Sequence, residues 1–294
     1  MIDLHVHSSE SDGSLTPQQL VSEAAALGLE ALAIADHDTM AGYEPALRAA
    51  AGTGVELICA VEISARRECL DGRSRGVHLL AYFLQGPPGE GFSRWLEQQQ
   101  QRRRERNQRL AARLQELGLE VALEEVAALG GKLVGRVHFA QALIRKGYAA
   151  SVQEAFREYL GQGGRAYLPM ERVTVEEAIR KIRDAGGLAC VAHPGRLRFN
   201  LEGVLGEWRA QGLGGLEVFH SEHSREQTGY LLALARRFEL AVTGGSDFHG
   251  EGKPGVCMGT GMNGNLSLNR ELLEALREAA KGRGAQSELR GLPR

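Results

Sequence analysis

Histidine and carboxylate residues recur in this sequence where predicted β-strands end. The chain opens MIDLHVH, so His5 and His7 stand one residue apart, and Asp12 follows in the next loop. Because side chains repeat every two residues along a strand, both imidazoles point to one face. Residues of the same types end, or lie within, the later predicted strands: His37, Glu62, His78, His193, Asp247 and His249. Unrelated polar residues would not gather at strand ends, so the pattern indicates a metal site.

Nine candidate ligands are more than one tetrahedral ion can use. They fit two or three divalent ions that share a bridging carboxylate. Imidazole and carboxylate ligands without a thiolate favour Mn²⁺, Zn²⁺ or Fe²⁺. A multinuclear site of this kind generates hydroxide at neutral pH and holds a phosphoryl group from both sides. A metal-binding module without catalytic activity is the alternative from another class.

The elements that must position these residues alternate between strand and helix. Seven strands are predicted, in MIDLHVH, LEALAIADHD, VELICAVEIS, GVHLLAYFL, LACVAHPGR, GLGGLEVFH and ELAVTGGSDFH. Helix starts are marked by Thr16-Pro17, by the capping box from Thr174 to Glu177, and by Ser224. Such alternation predicts parallel βαβ units. The best fit is a closed or nearly closed α/β barrel, which places function at the carboxyl ends of its strands.

The middle of the chain departs from this alternation. Gly86-Pro87-Pro88-Gly89 marks a boundary, and WLEQQQQRRRERNQRLAARLQELG predicts one long polar helix, followed by shorter ones. We therefore expect a barrel formed by residues 1–87 and 170–280, with a helical insertion over its mouth at 88–169. A polar, Gly-rich tail is expected at 281–294.

Composition narrows the class of protein. The 294 residues carry a net charge of −2 and only 5% aromatic side chains, which gives no reason to expect duplex DNA or a membrane surface as a partner. No apolar run approaches the ~20 residues of a membrane span, and the start lacks a signal-peptide pattern. Four cysteines without CxxC spacing fit a reducing compartment. A cytoplasmic protein is expected.

Several motifs resemble those of the polymerase and histidinol phosphatase (PHP) superfamily. They are DLHVHSSESDG (3–13), ADHDT (35–39), AVEIS (60–64), His78, AHPGR (192–196) and GSDFH (245–249). The resemblance extends in order over 1–85 and 170–265, and it implies a distorted (β/α)7 barrel with a trinuclear metal centre. Carried over position by position, it implies three ion sites: His5, His7, Glu62 and Asp247; Glu62 again as the bridge, with His78 and His193; and Asp12, His37 and His249.

The insertion points to one branch of that superfamily. RVHFAQALIRKG (136–147) looks like a segment of the small PHP phosphoesterases that act on nucleoside 3′,5′-bisphosphates, whose relatives also trim short RNA from the 5′ end. The resemblance implies a metal-dependent phosphomonoesterase for a small phosphorylated nucleotide such as pAp. An exoribonuclease that acts on short single-stranded RNA first is one alternative. A phosphatase of another small ester, such as histidinol phosphate, is a second.

Four residues are candidates for contact with the substrate phosphate: Arg136, His138, Arg196 and His223. A guanidinium suits phosphate through paired hydrogen bonds, and either His223 or His138 is a candidate to protonate the leaving oxygen. The plainer interpretations are a helix-surface residue for His138 and a helix-capping role for His223.

Other polar residues near the predicted strand ends have two interpretations each. Glu217 either orients a ligand or pairs with an arginine. Asp36 and Asp38 are expected to support His37 or its turn rather than bind metal, and His220 is expected to be structural. The stretch Arg102–Arg106 is expected to be a solvated helix face, with contact to an oligonucleotide backbone as the alternative.

Overall fold

A seven-stranded sheet carries the predicted site. The computed structural model describes residues 1–69, 72, 74–130, 132–169 and 172–281. Within them one sheet has the order β1–β2–β3–β4–β5–β6–β7. Its strands are β1 (Ile2–Val6), β2 (Ala31–Ile34), β3 (Glu56–Glu68), β4 (Ser74–Phe83), β5 (Leu188–Val191), β6 (Leu213–His220) and β7 (Ala241–Gly245). Val6 and Phe248 form a parallel bridge that joins β1 to the chain after β7. The predicted distorted (β/α)7 barrel is therefore confirmed.

One strand, β4, is not parallel to its neighbours, contrary to the prediction of parallel βαβ units. β4 is antiparallel to both β3 and β5, whereas the β1–β2, β2–β3, β5–β6 and β6–β7 pairs are parallel. A parallel pair needs a crossover of a dozen or more residues, and the short connection from β3 to β4 cannot supply one. The prediction of parallel βαβ units is wrong for β4. The first half of β4 consequently lies where its neighbours end, and His78 pairs with Ser64 of β3.

Helices flank this sheet in the described residues. They are α1 (Pro17–Ala26), α2 (Tyr43–Ala50), α3 (Glu90–Glu116), α4 (Leu123–Gly130), α5 (Arg136–Arg145), α6 (Val152–Ala155), α7 (Val175–Asp184), α8 (Glu202–Gln211), α9 (Arg225–Arg237) and α10 (Arg270–Ala280). The predicted caps are confirmed, since the side chains of Thr16, Thr174 and Ser224 each accept a backbone N–H of the first turn. A π-helical turn, Phe156–Leu160, continues α6.

The insertion between β4 and β5 has an apolar core of its own. Leu110 and Leu114 of α3 pack with Phe139 and Leu143 of α5 and with Leu160, while Leu79, Leu80 and other sheet residues belong to a separate core. Each large apolar side chain that is fully buried contributes about 1.5–3 kcal/mol. The domain limits at 87/88 and 169/170 stay predictions. Residues 170 and 171, and most of the predicted tail (282–294), lie outside the described residues.

Two further findings concern the helices and the cysteines. Within the described ranges, none of the helices combines the length and the apolar character that crossing a membrane requires. Cys59, Cys69, Cys190 and Cys257 are all unpaired.

Candidate metal centre

The H-x-H pair at the end of β1 converges on one point. His5 and His7 are fully buried, and their Nε2 atoms lie 3.1 Å apart, as the alternation of side chains along a strand predicts. His5 Nδ1 lies 2.8 Å from Glu217 Oε1 on β6. This hydrogen bond places the proton on Nδ1 and directs the lone pair of Nε2 into the site.

Glu62 on β3 occupies the centre of the site. Its Oε1 lies 2.7 Å from His193 Nε2 and 2.9 Å from His78 Nδ1. Its Oε2 lies 3.0 Å from His37 Nδ1 and 3.2 Å from His7 Nε2. Burial by itself would raise the pKa of Glu62, but the surrounding histidines hold it well below its usual value. The two oxygens of one ionised carboxylate therefore face different pairs of imidazoles, which is the geometry of a bridge.

Asp247 presents its two oxygens to different partners. Oδ1 lies 3.4 Å from His7 Nε2 and 3.4 Å from His249 Nδ1, whereas Oδ2 lies 3.2 Å from His220 Nε2 and contacts Lys253 Nζ. The backbone of Asp247 is left-handed, with φ +56°, and aspartate tolerates this better than most residues. Gly245 is needed just before it, because a Cβ there would lie 2.4 Å from the His5 side chain.

Asp12 forms the third corner of the cluster. Its Oδ1 lies 3.4 Å from His249 Nε2 and 3.5 Å from His7 Nδ1, and its Oδ2 lies 3.7 Å from His37 Nε2. Although burial opposes it, these histidines lower the pKa of Asp12 far below its ordinary value. Asp12 is therefore an anion at neutral pH.

All nine predicted ligands come together at the carboxyl end of the barrel. Three groups have ligand atoms within 4.8 Å of one another: His7, Asp12, His37 and His249; His5, His7 and Asp247; and His37, Glu62 and His78. His7 and His37 each belong to two groups, so the division is less sharp than the one that the resemblance implies. His193 joins through Glu62. The roles of these residues as ligands stay predictions.

Unsatisfied polar atoms test whether a metal fits here. Glu62 Oε2 and His37 Nδ1 lie 3.0 Å apart without forming a hydrogen bond. These two atoms and His193 Nδ1 are buried and have no hydrogen-bond partner within the described part of the chain. Buried polar atoms normally have one. A set of nitrogen and oxygen donors with unmet bonding capacity fits borderline divalent ions such as Mn²⁺, Zn²⁺ or Fe²⁺.

Carboxylates behind the cluster hold it in place. Glu217 accepts from the backbone N–H of His193 at 2.5 Å as well as from His5, so its contacts among the described residues favour the ligand-orienting interpretation over pairing with an arginine. Asp36 accepts from the backbone N–H of Ser8 at 2.8 Å and from the Ser11 hydroxyl at 2.5 Å. It thereby shapes the loop that carries Asp12, and its expected support of His37 stays a prediction.

Two further residues, from outside the predicted ligand set, contact Asp247. His220, expected to be structural, contacts Asp247. Lys253, which also contacts Asp247, was missed. Its only local signal is the turn at Gly250–Gly252 that follows His249, and nothing in that turn indicates which way Lys253 points.

The four predicted phosphate contacts have different surroundings. Arg196 lies at the cluster, with one nitrogen 3.6 Å from Asp247 Oδ2 and another 3.2 Å from Glu222. His223 donates from Nδ1 to the Val218 carbonyl at 2.8 Å and accepts the Gly195 N–H at Nε2. Because both ring nitrogens are engaged, this geometry does not favour His223 as the proton donor.

His138 and Arg136 lie at the start of α5, in the insertion. His138 Nδ1 accepts the Gly135 N–H at 3.0 Å, which leaves the proton on Nε2. Arg136 donates to the Leu160 carbonyl at 3.2 Å and lies over the Phe156 ring. Burial lowers the pKa of both side chains.

Arginines from α3 face the barrel. Arg103 pairs with Asp38, and Arg106 is only 3% exposed. These two residues are three positions apart and therefore share one side of the helix. The expectation of a solvated face is wrong for both. Burial, together with Arg136, Arg103 and Arg172 nearby, lowers the pKa of Arg106 to about 9. These four arginines, which we call the arginine group, therefore concentrate positive charge beside β2 and β3.

A cavity of about 510 Å³ opens between α3, α4 and the end of β2. Its walls include His37 of the cluster and Arg103 of the arginine group, together with the apolar side chains of Leu123 and Leu133. The volume lies in the range of small-ligand sites. Metal-ligand chemistry, cationic side chains and an apolar wall thus meet in one cavity.

Comparison with known proteins gives consistent matches. A model of the PHP domain matches residues 3–172. The chain is 36% identical over 252 residues to a 5′-3′ exoribonuclease of Haemophilus influenzae, covering 84% of this chain and 89% of that protein. It is 32% identical over 263 residues to a 3′,5′-nucleoside bisphosphate phosphatase of Chromobacterium violaceum, covering 88% and 90%. A solved structure from Bifidobacterium adolescentis, described as a metal-dependent phosphoesterase, matches with a TM-score of 0.75 and 34% identity, covering 95% of this chain and 96% of that one.

Proposed function

This chain belongs to the PHP family of metal-dependent phosphoesterases, and we propose that it removes the 3′-phosphate of nucleoside 3′,5′-bisphosphates such as pAp and also trims short 5′-phosphorylated RNA. Two similar proteins act, by name, on these two substrate classes. The observation that carries the proposal is the position of the arginine group beside the carboxylate–histidine cluster. Two sites for anions suit a substrate that has two phosphate groups.

The nine clustered residues would hold the ions, with Glu62 between two of them. When bound, two or three Mn²⁺, Zn²⁺ or Fe²⁺ ions would supply a nucleophile from water at neutral pH and neutralise the phosphoryl oxygens. Glu217 keeps His5 in the tautomer that presents Nε2 to the site. Asp247 does the same for His249, whose Nδ1 donates to the Asp247 carbonyl at 2.8 Å.

The 5′-phosphate would lie at the arginine group. Arg103, Arg106, Arg136 and Arg172 repel one another, and Asp38 pairs with Arg103 of this group. A phosphate dianion among the guanidinium groups offsets that repulsion and accepts charge-assisted hydrogen bonds. Arg136 is the predicted phosphate contact in this group, and Arg196 is the predicted contact on the other side of the cluster.

A histidine would protonate the leaving 3′-oxygen. His138 fits this role better than His223, because its Nε2 carries the proton while Nδ1 is held by the Gly135 N–H. Burial lowers the pKa of His138 and the charge of Asp12 opposes this, which supports a position for His138 on the cluster side of the insertion. His223 is better suited to fixing the turn at Gly195 beside the site.

A cytoplasmic location accords with the unpaired cysteines and with a nucleotide substrate. No contact with a membrane or with duplex DNA is proposed. The sequence features that argued against those partners are the near-neutral charge and the absence of a long apolar run.

Release of phosphate from pAp by Mn²⁺-loaded protein tests the proposal, with 5′-AMP, histidinol phosphate and a short RNA measured in parallel. We expect turnover of pAp that yields 5′-AMP. Glu62→Gln keeps the shape of the central side chain and removes its charge, so it should abolish turnover. Glu68→Gln, at the exposed end of the same strand, is the matched control. Full activity of Glu62→Gln would refute the bridging role, and metal content without turnover of any ester would favour the non-catalytic alternative.

A further inference from the structure

Two cationic side chains meet on the side of the cluster away from the arginine group. Lys253 Nζ contacts Asp247 Oδ2, and an Arg196 nitrogen lies 3.6 Å from the same oxygen. Arg196 follows β5 and Lys253 follows β7, whereas Arg103 contacts residues of the β2 and β3 ends. The cluster therefore has positive charge on two different sides.

The two side chains reach solvent at the rim of the site. The Lys253 side chain is 21% exposed and that of Arg196 is 46% exposed. The anions that face them are Asp247 and, for Arg196, Glu222. Because Oδ1 of Asp247 is directed into the histidine cluster, a divalent ion held there would share the charge of this carboxylate. Lys253 then has positive charge left for another anion.

We propose that Lys253, together with Arg196, binds the next phosphate along an RNA chain, one nucleotide beyond the phosphate that reacts. This rests on the proposed function. The 5′-phosphate would lie at the arginine group, the first phosphodiester at the cluster, and the second phosphodiester at Lys253 and Arg196. This subsite distinguishes RNA, which has a second phosphodiester, from pAp, which has none.

The same bond breaks in both substrates. Water adds to phosphorus, the bond from phosphorus to the 3′-oxygen breaks, and the 3′-oxygen takes a proton. With pAp the products are 5′-AMP and inorganic phosphate. With RNA they are a nucleoside 5′-phosphate and a shortened chain that keeps the phosphate at its new 5′ end. Only the second product extends towards Lys253.

Three substrates and four variants test the proposal on the holoenzyme. The substrates are pAp, the trinucleotide pApApA, and the same trinucleotide with an uncharged methylphosphonate between its second and third nucleotides. The variants are Lys253→Met, Arg196→Met, Lys253→Arg and the remote control Lys281→Met at the end of α10. The readouts are kcat/KM and the equilibrium affinity for a fluorescently labelled pApApA analogue in which a methylene group replaces the 3′-oxygen of the first linkage, so that the analogue keeps both phosphodiester charges and is not cleaved.

We expect Lys253→Met to lower kcat/KM for pApApA about tenfold more than for pAp, since one charge-assisted hydrogen bond at a partly exposed position is lost. This excess loss should disappear with the methylphosphonate substrate, and the affinity for the uncleavable pApApA analogue should fall by a similar factor. Arg196→Met should act in the same direction, Lys253→Arg should recover part of the loss, and Lys281→Met should leave the substrate ratio unchanged.

Equal losses on pAp and pApApA would overturn the inference, because Lys253 would then act only by holding Asp247. So would an excess loss that persists with the methylphosphonate. If the wild-type enzyme cleaves neither pAp nor pApApA, the proposed function fails and this inference fails with it. Turnover of pAp with a substrate ratio that is insensitive to Lys253 refutes this inference alone.

Discussion

Glu217→Gln is the substitution that most directly tests how the predicted metal ligands are held. Glu217 is fully buried on β6, and it accepts hydrogen bonds from His5 Nδ1 at 2.8 Å and from the His193 backbone N–H at 2.5 Å. It is not itself one of the nine predicted ligands. Its effect on metal binding must therefore act through the orientation of His5 and His193.

The size of the effect follows from the two contacts. Burial by itself would raise the pKa of Glu217, but His5 and its neighbours lower it to about 2, so the carboxylate is ionised at neutral pH. A glutamine oxygen can replace only one of its two acceptors, and the amide NH₂ would face the other N–H. Losing one hydrogen bond to a charged acceptor costs about 1.5–3 kcal/mol, which is roughly a tenfold to hundredfold change in an equilibrium constant. Substitutions behind metal ligands in other proteins have effects of about this size.

Mn²⁺ affinity is the quantity to measure, by calorimetry and by activation of turnover. We expect Glu217→Gln to bind Mn²⁺ about 10–100-fold more weakly while its circular dichroism spectrum stays that of the wild type. Glu207→Gln, on the exposed face of α8, is the matched control and should leave the affinity unchanged. Wild-type Mn²⁺ affinity in a folded Glu217→Gln protein would refute the reasoning, because His5 would then not depend on this carboxylate.

Two further predictions concern stability. Asp38→Asn removes one partner of the buried ion pair with Arg103 that joins α3 to the barrel, so urea unfolding should show a loss of about 3 kcal/mol in the free energy of unfolding. The control Glu90→Gln breaks an exposed pair on the same helix and should cost less than about 0.5 kcal/mol. Equal losses for the two variants would contradict the role assigned to Asp38. Although burial opposes it, Arg277 and Arg270 hold the pKa of Glu56 below its unfolded value of 4.5. This carboxylate therefore stabilises the fold above that pH and loses its contribution as the pH falls through the lower folded pKa. The difference in unfolding free energy between wild type and Glu56→Gln should shrink on acidification, and a difference that stays constant from neutral pH to about pH 3 would contradict the role of Glu56.

Local periodicity explains why much of the site could be predicted from the sequence. His5 and His7 stand two residues apart, and a strand repeats its side-chain direction every two residues, so their convergence follows from spacing alone. Thr16 followed by Pro17 specifies a helix start through the geometry of a single turn. The resemblance to PHP motifs supplied what periodicity does not, namely that ligands hundreds of residues apart belong to one cluster.

Other features depend on contacts between distant segments. The alternation of apolar residues in β4 is the same in either direction, so only the short link to β3 and the pairing of the assembled sheet set its antiparallel course. The inward direction of Arg106 depends on how α3 packs against the barrel. This part of the helix consists mainly of glutamine and arginine, so it has no apolar stripe that would specify its buried face.

The sequence by itself therefore predicted the strands through their two-residue repeat, the helix starts through their capping residues, and the candidate ligands through their positions at strand ends. The tertiary structure alone decided that Glu217 supports His5, that His220 and Lys253 reach Asp247, and that His223 is occupied by its own backbone neighbours. These contacts join residues whose separation along the chain carries no information about their distance in space, and only the packing of the barrel brings them within hydrogen-bonding range.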